Sequence, residues 1–531
     1  MLMLQDKNDQ GELESLIART ALKYDLMPYE SHPIPQSHPG RIGAVAKLFG
    51  LGPAPLATAR VLELGCAAGG NLIPLASRNP GATFVGVDLS RAQVSAGCAR
   101  IERLGLRNIE IHCQSLTGIR EDLGAFDYII CHGVYSWVPE AVREDILRIS
   151  RENLAPTGVA YVSYNVLPGW RMMQTLRDMF LLEIPDGEDA RRRVAKVRDL
   201  LACLKDTVSA DGAYKQAVTE AARRFDGMSD DYVTHEFLEE FNEPCTLKAF
   251  LGRTRRRGLA YLGDAELPSM ILDNHSADTA RRIRERTGNN LVATEQYLDF
   301  ITGRTFRQSL LVHADRAVRI NRNLDPSRID GMHFFTGAGL KVEREGERSI
   351  LSDAKGRKLT TGSPIVAEAL QILAARFPAS FTVDDLVDRL SPPGRTREGR
   401  ILVLSAVFNL VRIGLAQASL EPVGAQPGVS ERPAACPLVR SDAACGARAT
   451  ANLRHEKIVL DPVARAVLRE LDGTRDRAAL AEALTAEVLA GRLKVSLADR
   501  PVLDGDMVSR AAAERVPKVI ERCAHASLLV G

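Results

Sequence analysis

Glu63 stands inside an apolar run, VLEL, that breaks into the small-residue turn Gly65, Cys66, Ala67, Ala68, Gly69 and Gly70 before Asn71 and a second apolar stretch. A carboxylate at a strand end, followed by a turn whose backbone a ligand can approach closely, is equipment for holding a nucleotide-like cofactor. Dinucleotide folds use G-x-G-x-x-G and set a pyrophosphate on the helix N-terminus. The order here is E-x-G-x-A-x-G-G. An acid ahead of the first glycine repels phosphate and suits a cationic amino-acid group, such as the methionine part of S-adenosylmethionine. Asp88 closes the next apolar run, FVGVD, where a carboxylate can accept hydrogen bonds from both ribose hydroxyls. NAD enzymes place an acid there too, so Asp88 alone does not choose between the cofactors.

Two further runs lead to polar ends. FDYIIC opens into His132, Gly133, Tyr135 and Trp137, and IEIHC opens into Gln114 and Ser115. Ligands of open α/β sheets sit at this carboxyl edge. His132 or Tyr135 is placed there to take or orient a proton, and Trp137 to wall the cofactor or substrate. The competing reading packs Trp137 under the loop and makes His132 a structural histidine. The cofactor set read from these motifs is Glu63, Gly65, Cys66, Ala67, Gly69, Asn71, Asp88, Leu89, Ser115, His132 and Gly133; Cys66 also reads as a small buried residue of the turn.

The elements that must position these residues are β-rich apolar runs alternating with helical patterns over about 58–165. That alternation predicts a Rossmann-like, doubly wound parallel α/β sheet. Over about 170–310 helix formers dominate and a helical domain is expected. Ser363-Pro364 is a helix start, Thr382 with Asp385 reads as a capping box, and ILVLSAVFNLVRIGL (401–415) as a buried helix too short for a bilayer. With GLAQASLEP as a wing strand, these give a winged-helix shape. The stretch 421–450, rich in Pro, Gly, Ala and Ser, is the best linker candidate. Beyond it, Asp461-Pro462 starts a helix that Gly473 ends, and Thr474 caps the next. The division is therefore 1–175 for the cofactor domain with an N-terminal lid segment, 176–320 helical, 321–422 winged-helix-like, 423–450 linker, and 451–531 a second winged-helix-like unit.

Composition narrows the classes. The chain has 531 residues, 45% hydrophobic and 26% charged, with a formal net charge of +2, so no basic field argues for nucleic acid. The arginine run at 253–257 lacks interleaved aromatics and reads as a solvated helix face. Nine cysteines without a CxxC pair suggest neither a zinc site nor a disulfide framework, and no metal ligands are assigned. The acidic N-terminus without a long apolar core reads as a cytoplasmic protein with no signal peptide and no membrane insertion.

Longer stretches carry a resemblance. YDLMPYESHPIPQSHPGRIGAVAKLFGL, ELGCAAGGNLIPLA, DYIICHGVYSWVP and YNVLPGWRMM are followed by YVTHEFLEEFNEPCTLKAFLGRTRRRGLAYLGDAEL, EQYLDFITGRTFRQSLL and NLRHEKIVLDPVARAVLRELDGTRDRAAL. Together they resemble class I S-adenosylmethionine-dependent methyltransferases with a methyltransferase regulatory domain, such as the rickettsial protein-lysine methyltransferases. HGVYSW and THEFLEEFNEP are far more specific than the glycine turn. The chain departs from the family pattern at Ala68, where an acid is frequent, and at Gln114 and Ser115, where many methyltransferases carry an Asp against adenine. The resemblance implies S-adenosylmethionine as cofactor, a homodimer, and N-methylation of protein lysine. It also implies a lid containing Tyr24, Tyr29, Gln36 and His38. An acceptor lysine, with a pKa of about 10.4, must lose its proton; burial among Tyr135, Tyr164, Trp137 and Trp170 would favour that. A small-molecule methyltransferase and a cofactor-sensing binding protein without transfer activity remain the alternative readings.

Overall fold

The computed structural model describes residues 2–184, 189–209, 212–493, 496–497, 500–501 and 504–530. Helix α1 (Leu2–Leu26) leads through an extended segment to α2 (Pro39–Leu48), whose N-cap is His38. The sheet domain then runs β1 (Arg60–Leu64), α3 (Leu72–Arg78), β2 (Thr83–Asp88), α4 (Arg91–Leu104), β3 (Ile109–Cys113), β4 (Phe126–Cys131), α5 (Glu140–Glu152) and β5 (Leu154–Asn165). These strands are parallel, in the order β3-β2-β1-β4-β5. Val61, Leu62 and Leu64 are all fully buried because helices cover both faces. The register sets Glu63 opposite Gly86 and Ile130, so the ends of β1, β2 and β4 lie side by side at one edge.

The sheet does not stop at β5. A helical insertion follows, α6 (Trp170–Glu183), α7 (Ala190–Thr207), α8 (Ala213–Asp226), α9 (Asp230–Phe237) and α10 (Leu247–Arg256). Its core includes Trp170, Phe180, Val197, Phe225 and Phe237. The chain then returns to the sheet as β6 (Leu259–Asp264) and, after α11 (Ala277–Thr287) and α12 (Leu291–Thr302), as β7 (Phe306–His313). The complete sheet is seven-stranded and mixed, β3-β2-β1-β4-β5-β7-β6, with β7 antiparallel to both neighbours. The helical reading of 176–320 is corrected here: two of its segments are sheet strands. FRQSLLVH carries helix-favouring residues, and pairing with β5 overrides that weak preference once Gly303, at φ +59°, has ended α12.

Arg307 of β7 is fully buried, with Nε 2.9 Å from Asp299 and Nη1 2.9 Å from Glu295. Asp264 at the end of β6 lies 3.4 Å from the same guanidinium.

The middle unit contains β8 (His333–Thr336), the antiparallel sheet of β9 (Lys341–Glu345), β10 (Arg348–Ser352) and β11 (Lys358–Thr361), then α13 (Pro364–Ala375), α14 (Val383–Val387), α15 (Arg397–Ile413) and β12 (Ala416–Ser419). The Thr382–Asp385 capping box is present in both directions, and β12 pairs with β8. Residues 437–444 of the expected linker are folded: β13 (Ala434–Ala435) precedes α16 (Pro437–Ala444), which buries Leu438 and Val439. The alanines that read as linker are strong helix formers here. Asp442 of α16 takes both Arg100 of α4 in a two-pronged pair, at 3.1 and 2.7 Å, and the Thr450 hydroxyl. Next come β14 (Ala449–Ala451), β15 (Lys457–Val459), α17 (Pro462–Leu468), α18 (Arg477–Leu489) and α19 (Gly505–His525). The cap of α18 is Asp476, which accepts from Ala479 N at 2.9 Å, rather than Thr474, whose hydroxyl bonds Asp472.

Candidate cofactor and acceptor site

The strand ends build a cleft from strictly local chemistry. After β1 the chain turns through Gly65 at φ +75° and Ala67 at φ +48°, and the amides of Gly65 and Cys66 both donate to Val87 O of β2. A side chain at Gly65 would meet Val134 at 2.4 Å, so the turn and the loop after β4 close on one another. Asp88 holds this arrangement from below: Oδ2 accepts from Ala67 N at 2.7 Å and Oδ1 from Ser90 N at 2.9 Å. Burial nevertheless pushes its carboxyl above the ordinary range.

Glu63 is almost wholly buried. Its Oε1 accepts from Asn71 Nδ2 at 2.8 Å, and its Oε2 is buried without a hydrogen-bond partner. Desolvation pushes this carboxyl up to about 8. A buried carboxylate oxygen with nothing to accept is costly. A ligand ammonium would relieve that cost, and with Asp88 open to a ribose the donor set fits S-adenosylmethionine.

The two carboxylates line a cavity of about 540 Å³. Of the cofactor residues expected from sequence, Glu63, Gly65, Cys66, Ala67, Asn71, Asp88, Leu89, Ser115, His132 and Gly133 line it. Gly69 does not: a side chain there would strike Ile111 and Ile73, so Gly69 serves the packing of the turn on the sheet. Ser115 caps a short turn through Thr117 and lines the cavity with Gln114 and Leu116. His132 is held through Nδ1 at 2.9 Å from the Tyr161 hydroxyl, and burial lowers it to about 4, so its ring is neutral at physiological pH.

Tyr135 and Tyr164 are placed elsewhere than expected. Tyr135 is fully buried edge-on to Phe250, and Tyr164 stacks on the same ring at 4.0 Å with its hydroxyl on Ser309. Both belong to the core between the sheet and α10, because their strand or loop positions face the helices rather than the cleft. Trp137 and Trp170 do line the cavity, 6.0 Å apart and edge to face.

The N-terminal segment crosses the turn as a strap. Asp25 accepts from Ser90 Oγ at 2.6 Å, Ser31 Oγ accepts from Gly70 N at 2.7 Å, and Ile34 N donates to Asn71 Oδ1 at 2.9 Å. Tyr24 and Tyr29 face the cavity against His235 of α9, Tyr24 in parallel stacking at 5.5 Å. Gln36 instead donates to Glu266, and His38 caps α2, buried against His455. These two anchor the strap and stand off the cavity.

Beyond the cofactor edge the same cavity runs into the helical insertion. Its wall there is Met173, Arg224, Met228, Tyr232, Glu236 and Phe241. Burial pushes the Glu236 carboxyl up to about 7. Sequence reasoning gave this residue no role, although THEFLEEFNEP contains it; the signal was a family signature without geometry.

Three family patterns match along the chain: a methyltransferase domain over residues 61–158, a "predicted methyltransferase regulatory domain" over 229–313, and the C-terminal winged helix domain of PKMT over 431–528. An uncharacterised protein of Rickettsia prowazekii, RP789, is 33% identical over 521 residues, spanning 96% of this chain and 93% of that one. The chain belongs to this family of S-adenosylmethionine-dependent methyltransferases. A second R. prowazekii protein, RP028, is 34% identical over 237 residues, 44% of this chain and 95% of that one. The structure of PKMT2 from Rickettsia typhi, solved also in complex with AdoHcy, superposes with a TM-score of 0.82 at 26% identity, covering 95% of this methyltransferase and 100% of PKMT2.

Proposed function

We propose that this methyltransferase N-methylates lysine side chains of a protein. The observation that carries this reading is the second half of the cavity, where Trp137, Trp170, Tyr232 and Glu236 surround space continuous with the cofactor edge. The likeness to PKMT2 and the PKMT winged-helix match support the same acceptor.

The residues have separate tasks. Glu63 would receive the ammonium of the cofactor's methionine part and Asp88 its ribose, while Ser115 and Leu89 would border the adenine and Gly65, Cys66, Ala67 and Gly133 would give backbone approach. When bound, S-adenosylmethionine supplies a methyl group on a cationic sulfur, which an unprotonated amine can accept. A lysine enters as the cation, drawn by the carboxylate of Glu236 and the faces of the tryptophans. Water-poor surroundings then favour its neutral form. With its carboxyl near 7, Glu236 takes the departing proton. His132, neutral and tied to Tyr161, orients rather than titrates. Alignment of amine and cofactor by fixed walls supplies most of the rate enhancement that such a displacement needs.

We place the protein in the cytoplasm, as a homodimer that binds no nucleic acid. The near-neutral net charge supports the last point. An exposed apolar face on α12, Tyr297, Phe300 and Ile301, supports the dimer, which sedimentation would reveal. Among the described residues no helix is long and apolar enough to cross a membrane.

The test is incubation with methyl-labelled cofactor and a lysine-rich protein, beside the same protein with its lysines already acetylated. Label should enter the first and not the second. Absence of transfer to any protein acceptor from cell extract would overturn the protein-lysine reading.

A further inference from the structure

The motif NLRHEK, which the cofactor chemistry leaves unused, forms the tip between β14 and β15 of the C-terminal domain. The tip is fastened on every side. Asn452 accepts from the amides of Arg454 and Glu456 and donates to Ala526 O, and Arg454 donates to Thr336 O of β8. Lys457 pairs with Glu30 of the strap at 2.6 Å. His455 sits at φ +61° and is completely buried.

From that tip the imidazole reaches the cofactor turn. Nε2 lies 2.7 Å from Asn71 Oδ1, and Nδ1 lies 3.4 Å from Arg78 Nη2. The directions of these bonds can be read without ambiguity. Ile34 N–H also points at Asn71 Oδ1, so that atom is the carbonyl oxygen and His455 Nε2 is the protonated nitrogen. Nδ1 then accepts from Arg78, and the ring is neutral. Asn71 Nδ2 is left facing Ser37 Oγ at 3.0 Å and Glu63 Oε1 at 2.8 Å. A chain of donors therefore runs Arg78 to His455 to Asn71 to Glu63, leaving the sheet domain at α3, passing through His455 of the winged-helix domain and ending on the carboxylate of the cofactor cleft.

We propose that the C-terminal winged-helix domain is a working part of the cofactor site, with His455 a positioning residue that locks the Asn71 amide and so holds Glu63 toward the cofactor's ammonium. Without the Nε2 donor, Asn71 Oδ1 keeps only Ile34, and the amide can rotate to set its oxygen against the Glu63 carboxylate. The cost then appears in cofactor affinity rather than in acceptor binding. The proposal rests on the assignment of Glu63 to the ammonium and is independent of which acceptor is methylated.

The test uses His455→Met and His455→Gln in the full chain. Both are unbranched and of similar volume, and both meet the same backbone conformation. Only Gln restores an N–H toward Asn71, with its carbonyl toward Arg78. Affinity for S-adenosylhomocysteine is read by calorimetry and the ligand-free melting temperature is read beside it. Met should weaken binding about tenfold or more, the scale of one hydrogen bond in a charged network, and Gln should stay within about threefold of wild type. Val516→Ala, in the buried core of α19, supplies a comparable loss of stability away from the chain of donors and should leave affinity unchanged. Equal affinity in the Met and Gln variants overturns the proposal, as does a Val516→Ala loss equal to that of Met. Unchanged binding in Glu63→Gln overturns it at its premise; weak binding in Glu63→Gln with wild-type binding in His455→Met overturns it at the link.

Discussion

The Glu63 carboxylate accepts from Asn71 on one oxygen at 2.8 Å and leaves its other oxygen buried and unpaired. The site therefore suits the ionised carboxylate only when a cation is bound. With the folded carboxyl pushed up to about 8 against an ordinary 4.5, the folded ligand-free protein holds a proton that the unfolded chain releases between those values. Stability thus falls as pH rises through that window. Glu63→Gln should remove the fall, making the ligand-free protein more stable than wild type by a few kcal/mol at about pH 8, while weakening cofactor binding. Thermal melts from pH 5 to 8 with and without S-adenosylhomocysteine check both halves.

Asp88 is built differently, since the amides of Ala67 and Ser90 already hold its oxygens. Asp88→Asn should lose ribose affinity and one of these backbone bonds together. Asp88→Ala should bind no measurable cofactor and should also release the turn at Ala67. Calorimetry showing wild-type affinity in either variant would remove Asp88 from the ribose.

Glu236 differs again because its partner arrives with the substrate. The carboxyl must be ionised to take a proton, so kcat/KM should rise with pH through about 7, the value to which burial pushes this group. His132, lowered to about 4, should add no limb in that range. Glu236→Gln is expected to cost about 10²-fold and to flatten the limb. With cofactor saturating, so that Glu63 is already ionised, a limb near 7 surviving in that variant would exclude Glu236 as the base.

What the sequence disclosed follows from how local each feature is. Glu63, the glycine turn and Asp88 were legible because a strand end, a turn and an acid are neighbours in the chain. His132 and Trp137 followed from their place after an apolar run. Tyr135 sits between them and faces the core, a matter of loop conformation that residue type does not encode. β7 was hidden because its sequence favours a helix until β5 is beside it. The contact between Asn71 and His455 joins residues that only the docking of the last domain brings together, so neither motif hinted at the other.

The buried cluster around Arg307 is the corresponding case for stability. Its guanidinium serves Asp299, Glu295 and Asp264 in a fully buried position. Arg307→Met keeps the volume, leaves Asp264 and Asp299 with Arg304 as their remaining cation and Glu295 with the Tyr261 hydroxyl, and should cost about 3–5 kcal/mol, read as a lowered denaturant midpoint. Arg281→Met on α11 breaks two exposed pairs, with Asp278 and Glu285, and should leave the midpoint where it is. Similar midpoints for the two variants would contradict the importance given to the buried cluster.

The strap over the cofactor turn can be tested at a single glycine. A β-carbon on Gly70 would stand 2.3 Å from the Ser31 carbonyl carbon and 2.5 Å from His32 N. These are backbone atoms, so neither side can yield by turning a side chain. Gly70→Ala must push the strap outward, breaking the bond from Gly70 N to Ser31 Oγ and straining that from Ile34 N to Asn71. Tyr24 and Tyr29 would move with the strap and uncover the cleft. The expected outcome is faster amide exchange over residues 29–36 and cofactor affinity lowered by about tenfold or more, since two hydrogen bonds at about 1 kcal/mol each are at stake. Exchange and affinity both at wild-type levels would mean that the strap does not close this site.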